Sequence, residues 1–240
     1  MTNPPMGQYD GEADIENFKF TNERRYELLF TEKIVDAVKH GQEIAMVIND
    51  GALEAPSRMT FRNKLLRNCD INAIVSLPKF AFAPYTKEKT YILFMQKKQG
   101  KAIGDIQKFP VWHFIIDYDG YANSDKRYKT KYHDDIPELE EKFDVAVRHA
   151  KTYSTDMIKF EIGRRNFERG INDREKDEGL YGKKFGYVEI EKINEDNFYN
   201  LLSEFYLRPI MVETISKEHF DIKLADIRHQ FEELSASFEG

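Results

Sequence analysis

The chain has 240 residues, of which 41% are hydrophobic and 32% charged, and its formal net charge is −6. This length allows one sizeable core or two small domains. No run of about 18 apolar residues occurs, which excludes a membrane-spanning helix, and the negative charge excludes wholesale electrostatic wrapping of DNA, so nucleic-acid contacts must come from local basic patches or a partner chain.

Cysteine and histidine usage limits the chemistry further. Cys69 is the only cysteine, so neither a disulfide framework nor a thiolate metal cluster is expected, and a reducing cytoplasm is the expected compartment. The six histidines show no metal-ligand spacing, so no metal site is expected either.

Two consecutive prolines stiffen the start of the chain, in the run Thr2-Asn3-Pro4-Pro5-Met6-Gly7. Each proline fixes its φ and lacks an N–H, and the residue before a proline is pushed to an extended conformation. The run predicts a rigid platform that presents the Asn3 side chain and one or two backbone carbonyls in a fixed direction, which suits holding an amino group by its hydrogens. Taken alone, the run is more typical of a terminal turn, because Asn-Pro pairs favour turns.

Helical and strand patterns alternate as far as residue 100. Apolar spacing predicts a helix over 23–40, capped by Asn22 and ended by Gly41. Continuous apolar runs predict buried strands at 44–48, 71–77 and 89–96, and a second helix beginning at Pro56 with Phe61, Leu65 and Leu66 facing inward. In a doubly wound sheet the first two strands would be parallel, and the last two, joined by a short connection, antiparallel.

The remainder of the chain is more polar. Its predicted elements are a strand at 111–116 with Trp112 in the core, a turn at Asp119-Gly120, a helix over 137–148, a strand at 185–190, a turn or short helix over 197–206 and a helical pattern over 217–238. The predicted division is 1–100, 101–200 with short strands and basic loops, and a C-terminal helical segment over 201–240.

The Asn-Pro-Pro run resembles the catalytic motif of amino-group DNA methyltransferases, above all the adenine-specific modification subunits of type I restriction–modification systems. The segments after it are similar to that family in the same order, at 43–53, 62–66, 71–78, 89–94 and 111–114. The resemblance implies an α/β fold: the C-terminal part of a doubly wound S-adenosylmethionine-dependent methyltransferase, without the strands that carry the cofactor loop, followed by a smaller α+β or helical extension.

The resemblance also implies roles for Asn3, Pro4, Pro5 and Met6. The amino group of adenine is a poor nucleophile because its lone pair is conjugated with the ring. The Asn3 amide oxygen and the Pro4 carbonyl would bind both amino hydrogens and favour a pyramidal nitrogen that can attack a methyl group. Met6 stands where the family has an aromatic residue, so its contact with the base would be smaller.

An aromatic side chain in the loop after the second strand would stack on the adenine, because chemistry on a duplex base requires flipping it out. Phe82 is the choice, with Phe80 and Tyr85 as rivals, and any of the three could instead fill the core. Basic residues near this loop and after it are candidates for contacts with the DNA backbone, although a solvated charged surface is the commoner explanation; they are Lys87, Lys89, Lys126 and Arg127.

No G-x-G occurs in the 240 residues, and glycine-rich loops are what bring a backbone close to a nucleotide. In the family that loop precedes the Asn-Pro-Pro motif. S-adenosylmethionine is therefore the expected cofactor of the full enzyme, most of its site is expected to be absent from this chain, and no cofactor-binding residue is assigned.

The resulting hypothesis is part of a site-specific DNA adenine methyltransferase, inactive by itself, whose partners are DNA and the specificity and restriction subunits of a type I system. The alternative is a non-catalytic assembly module that docks a DNA specificity subunit, with the helix over 217–238 as its pairing surface. A third possibility is an independent α/β protein whose Asn-Pro-Pro run is accidental.

Overall fold

The computed structural model describes residues 1–11, 15–168, 178–179 and 182–209. Residues Met1–Pro209 belong to one compact unit. The helix predicted over 217–238 lies outside the described residues. Within the described part, no helix is both long and apolar enough to cross a membrane.

This unit contains both helices and strands. The helices are α1 (Tyr26–Ala37), α2 (Asp50–Glu54), α3 (Met59–Asn68), α4 (Ile136–His149), α5 (Thr155–Glu168) and α6 (Ser203–Leu207). The strands are β1 (Glu43–Asn49), β2 (Cys69–Ser76), β3 (Thr90–Lys97), β4 (Val111–Ile115), β5 (Asp119–Tyr121), β6 (Lys129–Asp134), β7 (Glu178–Gly179), β8 (Gly182–Lys183) and β9 (Phe185–Val188). The fold class is α/β, as predicted.

Five of the strands form one mixed sheet in the order β1-β3-β2-β4-β9. Strand β3 is antiparallel to both β1 and β2, so the predicted antiparallel pairing of β2 with β3 is confirmed. The first two strands do run in the same direction, but β3 lies between them. Strand β4 pairs parallel with β2, and β9 pairs antiparallel with β4, so the sheet continues without a break past residue 100.

Helices cover both faces of this sheet, which is why β1 and β2 are nearly continuous apolar runs. On one face, α1 and α3 contribute Leu28, Phe61 and Leu65 to a buried cluster with strand residues that include Ile71 and Ile74. On the other face, α4 and α5 pack against Ala73, Val75, Trp112 and Phe114. A register shift between Ile71 and Ala73 changes the alternation of β2, so Ile71 and Ile74 reach the same face.

The predicted cap of the first helix is wrong. Helix α1 begins at Tyr26 rather than after Asn22, its N-cap residue is Arg25, and that cap makes no side-chain hydrogen bond. The reason is a contact distant in sequence: Tyr9 N donates to Arg24 O at 2.9 Å, and Gln8 forms a bridge with Arg25. This pairing keeps the backbone extended up to Tyr26.

Candidate functional site

The Asn-Pro-Pro segment is held at both of its ends. Thr2 pairs in parallel with β1, because its N–H donates to Ala45 O at 2.9 Å and its carbonyl accepts from Val47 N at 3.0 Å. At the other end Gly7, with a φ of 112°, donates to a carboxylate oxygen of Glu27 at 3.0 Å. The four residues between these anchors are therefore a fixed loop at the side of β1.

Within that loop the groups expected to hold an amino group are available. The Asn3 side chain is exposed, whereas the Pro4 ring is buried and so fixes the backbone. Pro5 is exposed and Met6 is half-buried. Neither the Asn3 amide nor the Pro4 carbonyl makes a hydrogen bond within the described residues.

Glu27 is the buried residue that fixes the end of this loop. Its carboxylate also accepts from Arg25 Nε at 2.8 Å and from Asn49 Nδ2 at 3.3 Å, and Arg58 lies 3.8 Å away. Burial by itself raises the pKa of Glu27, but the hydrogen bonds from the Gly7 backbone and from Arg25 outweigh it and hold the pKa below its usual value. Glu27 is therefore an anion that organises surrounding donors.

Asn49 links this carboxylate to the end of the Phe82 loop. The Asn49 side-chain oxygen accepts from Ala52 N at 3.2 Å and caps α2, while its Nδ2 donates to Glu88 at 2.9 Å as well as to Glu27. Glu88 lies just before β3. A continuous set of hydrogen bonds thus connects the Asn-Pro-Pro loop, the end of β1 and the end of the loop that carries Phe82.

Strand register brings these segments together at the carboxyl ends of β1 and β2. Asn49 at the end of β1 pairs with Thr90, and Ser76 at the end of β2 pairs with Tyr91. The connection 77–89 therefore starts and finishes at the end of the sheet where β1 and β2 terminate. The chain after Thr2 is parallel to β1 and runs toward the same end. Carboxyl ends of strands in α/β sheets are where ligands generally bind.

Phe82 lies in a series of turns in this connection. Ala81 N donates to Pro78 O, and Tyr85 N and Thr86 N both donate to Phe82 O. Phe82 is half-buried, and its ring contacts no other aromatic ring among the described residues. Of its rivals, Phe80 is half-buried and Tyr85 is 95% exposed.

Three of the four predicted DNA-backbone residues are bound to acidic partners. Lys87 pairs with Asp125 at 2.6 Å, and Arg127 pairs with Asp119 at 2.6 Å while donating to Phe80 O at 3.1 Å. Lys89 pairs with Glu204 at 3.2 Å and donates to Leu77 O. Lys126 makes no ion pair within the described part of the chain. The paired residues therefore hold the loop in place, and phosphate contacts by the four residues stay a prediction.

A second buried network attaches α6 beneath the same loop. Ser76 Oγ and Tyr91 Oη donate to the carboxylate of Glu204 at 2.5 and 2.9 Å. Burial alone would raise the pKa of Glu204, but the charge of Lys89 and the hydrogen bonds of Ser76 and Tyr91 lower it below its usual value. The pKa of Tyr91 is raised by burial and then by the Glu204 charge, so its phenol stays protonated.

His113 lies next to this network but is not set up for proton transfer near neutral pH. Its Nδ1 is 3.0 Å from Ser203 Oγ, and complete burial lowers its pKa to about 3, against the opposing charge of Glu204. A catalytic base is most effective with a pKa near the working pH. His113 is a neutral core residue.

The turn from β1 into α2 is the kind of strand-to-helix turn that can bind a ligand through its amides. Here the amide of Ala52 is taken by Asn49 and the amide of Gly51 by Asp50 at 2.7 Å, so neither points to a ligand. The described residues also contain no group of three or more side chains suited to a metal ion.

Sequence reasoning missed the residues that join the two predicted parts of the site. Asn49 had a readable signal, because an Asn between a buried strand and a glycine is a typical helix cap. Glu27 and Glu204 had none, because each acts across a long sequence separation, such as the 128 residues between Ser76 and Glu204.

Comparison with known proteins places this arrangement in context. The profile of the family described as N-6 DNA methylase matches residues 1–208. The methylase subunit of the type I restriction enzyme EcoEI from Escherichia coli is 30% identical over 180 residues, which cover 72% of this chain and 35% of that subunit.

Solved structures are similar in fold. A chain from an assembly of a type I restriction–modification system superposes with a TM-score of 0.56 at 19% identity, covering 99% of this chain and 43% of that one. The methyltransferase subunit of a type I system from Streptococcus thermophilus has a TM-score of 0.53 at 16% identity, covering 85% of this chain and 37% of that one. The chain thus spans under half the length of the relatives it matches.

Proposed function

Because this chain belongs to the N-6 DNA methylase family, we propose that it forms the adenine-binding part of a DNA adenine methyltransferase of the type I restriction–modification kind. The reaction is methyl transfer from S-adenosylmethionine to the amino group of a flipped adenine. The observation that carries the proposal is the Asn-Pro-Pro loop, anchored at Thr2 and Gly7, whose two acceptors make no hydrogen bond with any residue that the structure describes.

In this proposal Asn3 and Pro4 act by position and electrostatics. The Asn3 amide oxygen accepts one hydrogen of the adenine amino group and the Pro4 carbonyl accepts the other, which localises the lone pair on nitrogen. Pro5 keeps the loop extended, and Met6 lies under the base. Phe82 stacks on the flipped base from the opposing loop.

The methyl donor is bound mainly by groups outside this chain, since the sequence has no G-x-G and the amides of the β1–α2 turn are already capped. DNA is the substrate, and specificity and restriction subunits are the partners. The EcoEI relative supports these partners, because it is the methylase subunit of a type I restriction enzyme. A reducing cytoplasm suits the single Cys69.

The test is to replace Asn3 by alanine in the gene of the source organism and to map N6-methyladenine in its genomic DNA by single-molecule sequencing. One methylated sequence motif is expected to disappear. The fold should be unaffected, because the Asn3 side chain is exposed and makes no hydrogen bond within the described residues. Asn63→Ala is the matched control, since it makes the same chemical change on α3, where the Asn63 side chain accepts a hydrogen bond from Arg67.

Retention of every methylated motif in Asn3→Ala cells would contradict the catalytic proposal and favour the non-catalytic assembly module. Loss of the motif in both Asn3→Ala and Asn63→Ala would also contradict it, because the effect would then not come from the loop. Immunoblotting for equal amounts of the two variants completes the comparison.

A further inference from the structure

A cavity of about 400 Å³ lies beside β9, at the opposite edge of the sheet from β1. Lining residues come from β4, α5, β8, β9 and the turn after it: Trp112, Lys159, Lys183, Tyr187, Glu189 and Lys192. This volume is within the usual range of small-ligand sites, about 300–1,000 Å³. None of these residues belongs to the adenine site described above.

The charge around the cavity is predominantly positive. Three of its lining residues are lysines, against the single carboxylate of Glu189. In the part of the chain that the structure describes, none of the three lysines has a carboxylate within ion-pair distance. This is unlike Lys87, Lys89 and Arg127, which are all paired.

One of the three ammonium groups is held by an aromatic neighbour that leaves its charge uncompensated. Lys159 Nζ donates to Tyr187 Oη at 3.2 Å and lies 4.5 Å from the centre of that ring. Lys183 is held at its backbone carbonyl, which accepts from Arg208 Nε at 2.8 Å, and Lys183 and Lys192 are exposed. Ammonium groups held around one cavity without an anion repel one another, and a bound anion relieves that repulsion.

The wall of the cavity also contains an aromatic side chain, Trp112, which is fully buried. Its indole N–H has no hydrogen-bond partner within the described residues, but it is closed off from solvent as well. Trp112 therefore contributes apolar wall and not a donor to a ligand.

We propose that this cavity binds a phosphate group, carried either by a nucleic-acid strand or by a small phosphorylated molecule. Lysine is a common phosphate ligand that acts as a point charge. The proposal does not rest on methyl transfer, because it concerns binding alone and uses no residue of the Asn-Pro-Pro loop.

The protein carries its own reporter, because Trp112 is the only tryptophan and it lines the cavity. The experiment is to titrate the full chain with sodium phosphate, and separately with a short DNA duplex, at constant ionic strength while recording tryptophan emission. A saturable change is expected with at least one of the two. A change with phosphate alone identifies a small phosphorylated ligand, and a change with the duplex identifies a nucleic-acid strand.

The site variant is Lys159→Gln, Lys183→Gln, Lys192→Gln, which should weaken the apparent affinity at least tenfold. The control triple is Lys39→Gln, Lys64→Gln, Lys101→Gln, which removes the same charge from exposed positions outside the cavity and should change the affinity less than twofold. Absence of a saturable change with both probes would overturn the proposal. Equal weakening in the two triple variants would overturn it as well, because the effect would then be one of net charge.

Discussion

Replacing Glu27 by alanine tests how the Asn-Pro-Pro loop is held. The substitution removes the acceptor of Gly7 N at 3.0 Å, Arg25 Nε at 2.8 Å and Asn49 Nδ2 at 3.3 Å. A hydrogen bond to a charged group contributes about 1.5–3 kcal/mol. The hydrogen bond from Asn49 is long and the Arg25 side chain is 26% exposed, so these two hydrogen bonds are expected to contribute less to the free energy of unfolding. Removing one member of a buried charged cluster costs about 3–5 kcal/mol, and that is the expected loss.

The assay is urea unfolding followed by circular dichroism, with the midpoint expected to fall while the slope is unchanged. The sign of the pH dependence follows from the lowered pKa of Glu27. A carboxyl whose pKa is lower in the folded state stabilises above its unfolded pKa, about 4.3, and this stability is lost as the pH falls through the folded value. The advantage of the wild type over Glu27→Gln should therefore shrink below about pH 4.

Glu43→Ala is the control, because Glu43 is an exposed carboxylate at the start of β1 and makes no ion pair in the described part of the chain. Its substitution should change stability by less than about 0.5 kcal/mol. If Glu27→Ala costs no more than Glu43→Ala, then Glu27 does not fix the loop, and the rigidity assigned to the Asn-Pro-Pro segment loses its main support.

Three further measurements test the core. Cys69 is buried and its pKa is raised to about 12, first of all by burial, so a thiol reagent near pH 8.5 should label it only after unfolding in urea, and labelling of the native chain would contradict its position. Arg62→Ala should lower the free energy of unfolding in urea by about 3 kcal/mol or more, because Arg62 is fully buried and donates to the carbonyls of Ala52 and Phe198. An unchanged urea midpoint would contradict this, because these carbonyls would then have found other donors. Gly186→Ala should reduce thermal stability by about 1–3 kcal/mol, because its Cβ would lie 2.7 Å from a Leu207 methyl group, and a melting temperature equal to that of wild type would refute that clash.

Local sequence patterns predicted the elements well wherever burial is two-sided. The apolar runs of β1 and β2 and the inward residues Phe61 and Leu65 are visible in the sequence, because a strand covered on both faces is mostly apolar. The order of strands was only partly predictable. That β4 joins β2 in parallel depends on a crossover that no local pattern specifies. Helix α5 escaped prediction because its apolar residues Met157 and Phe160 are exposed and obscure the periodicity.

In the candidate site, too, some features follow from the local sequence and others depend on residues that are distant in the chain. The rigidity of the Asn-Pro-Pro run follows from proline chemistry alone. Its anchoring does not, because Glu27 reads as an ordinary acidic residue in the first turn of a helix, where negative charge favours the helix dipole. Only the fold shows that the carboxylate points back to Gly7 and across to Asn49.

Charge pairing distinguishes the basic residues around the loop that carries Phe82 from those around the β9 cavity. Around the loop that carries Phe82, Lys87, Lys89 and Arg127 pair with Asp125, Glu204 and Asp119, and these ion pairs hold the loop in place. In a chain of net charge −6, attraction for a polyanion depends on cations that have no such partner. The structure provides these at Lys126 and around the β9 cavity, and salt dependence of DNA binding should therefore respond to those lysines and not to the paired ones.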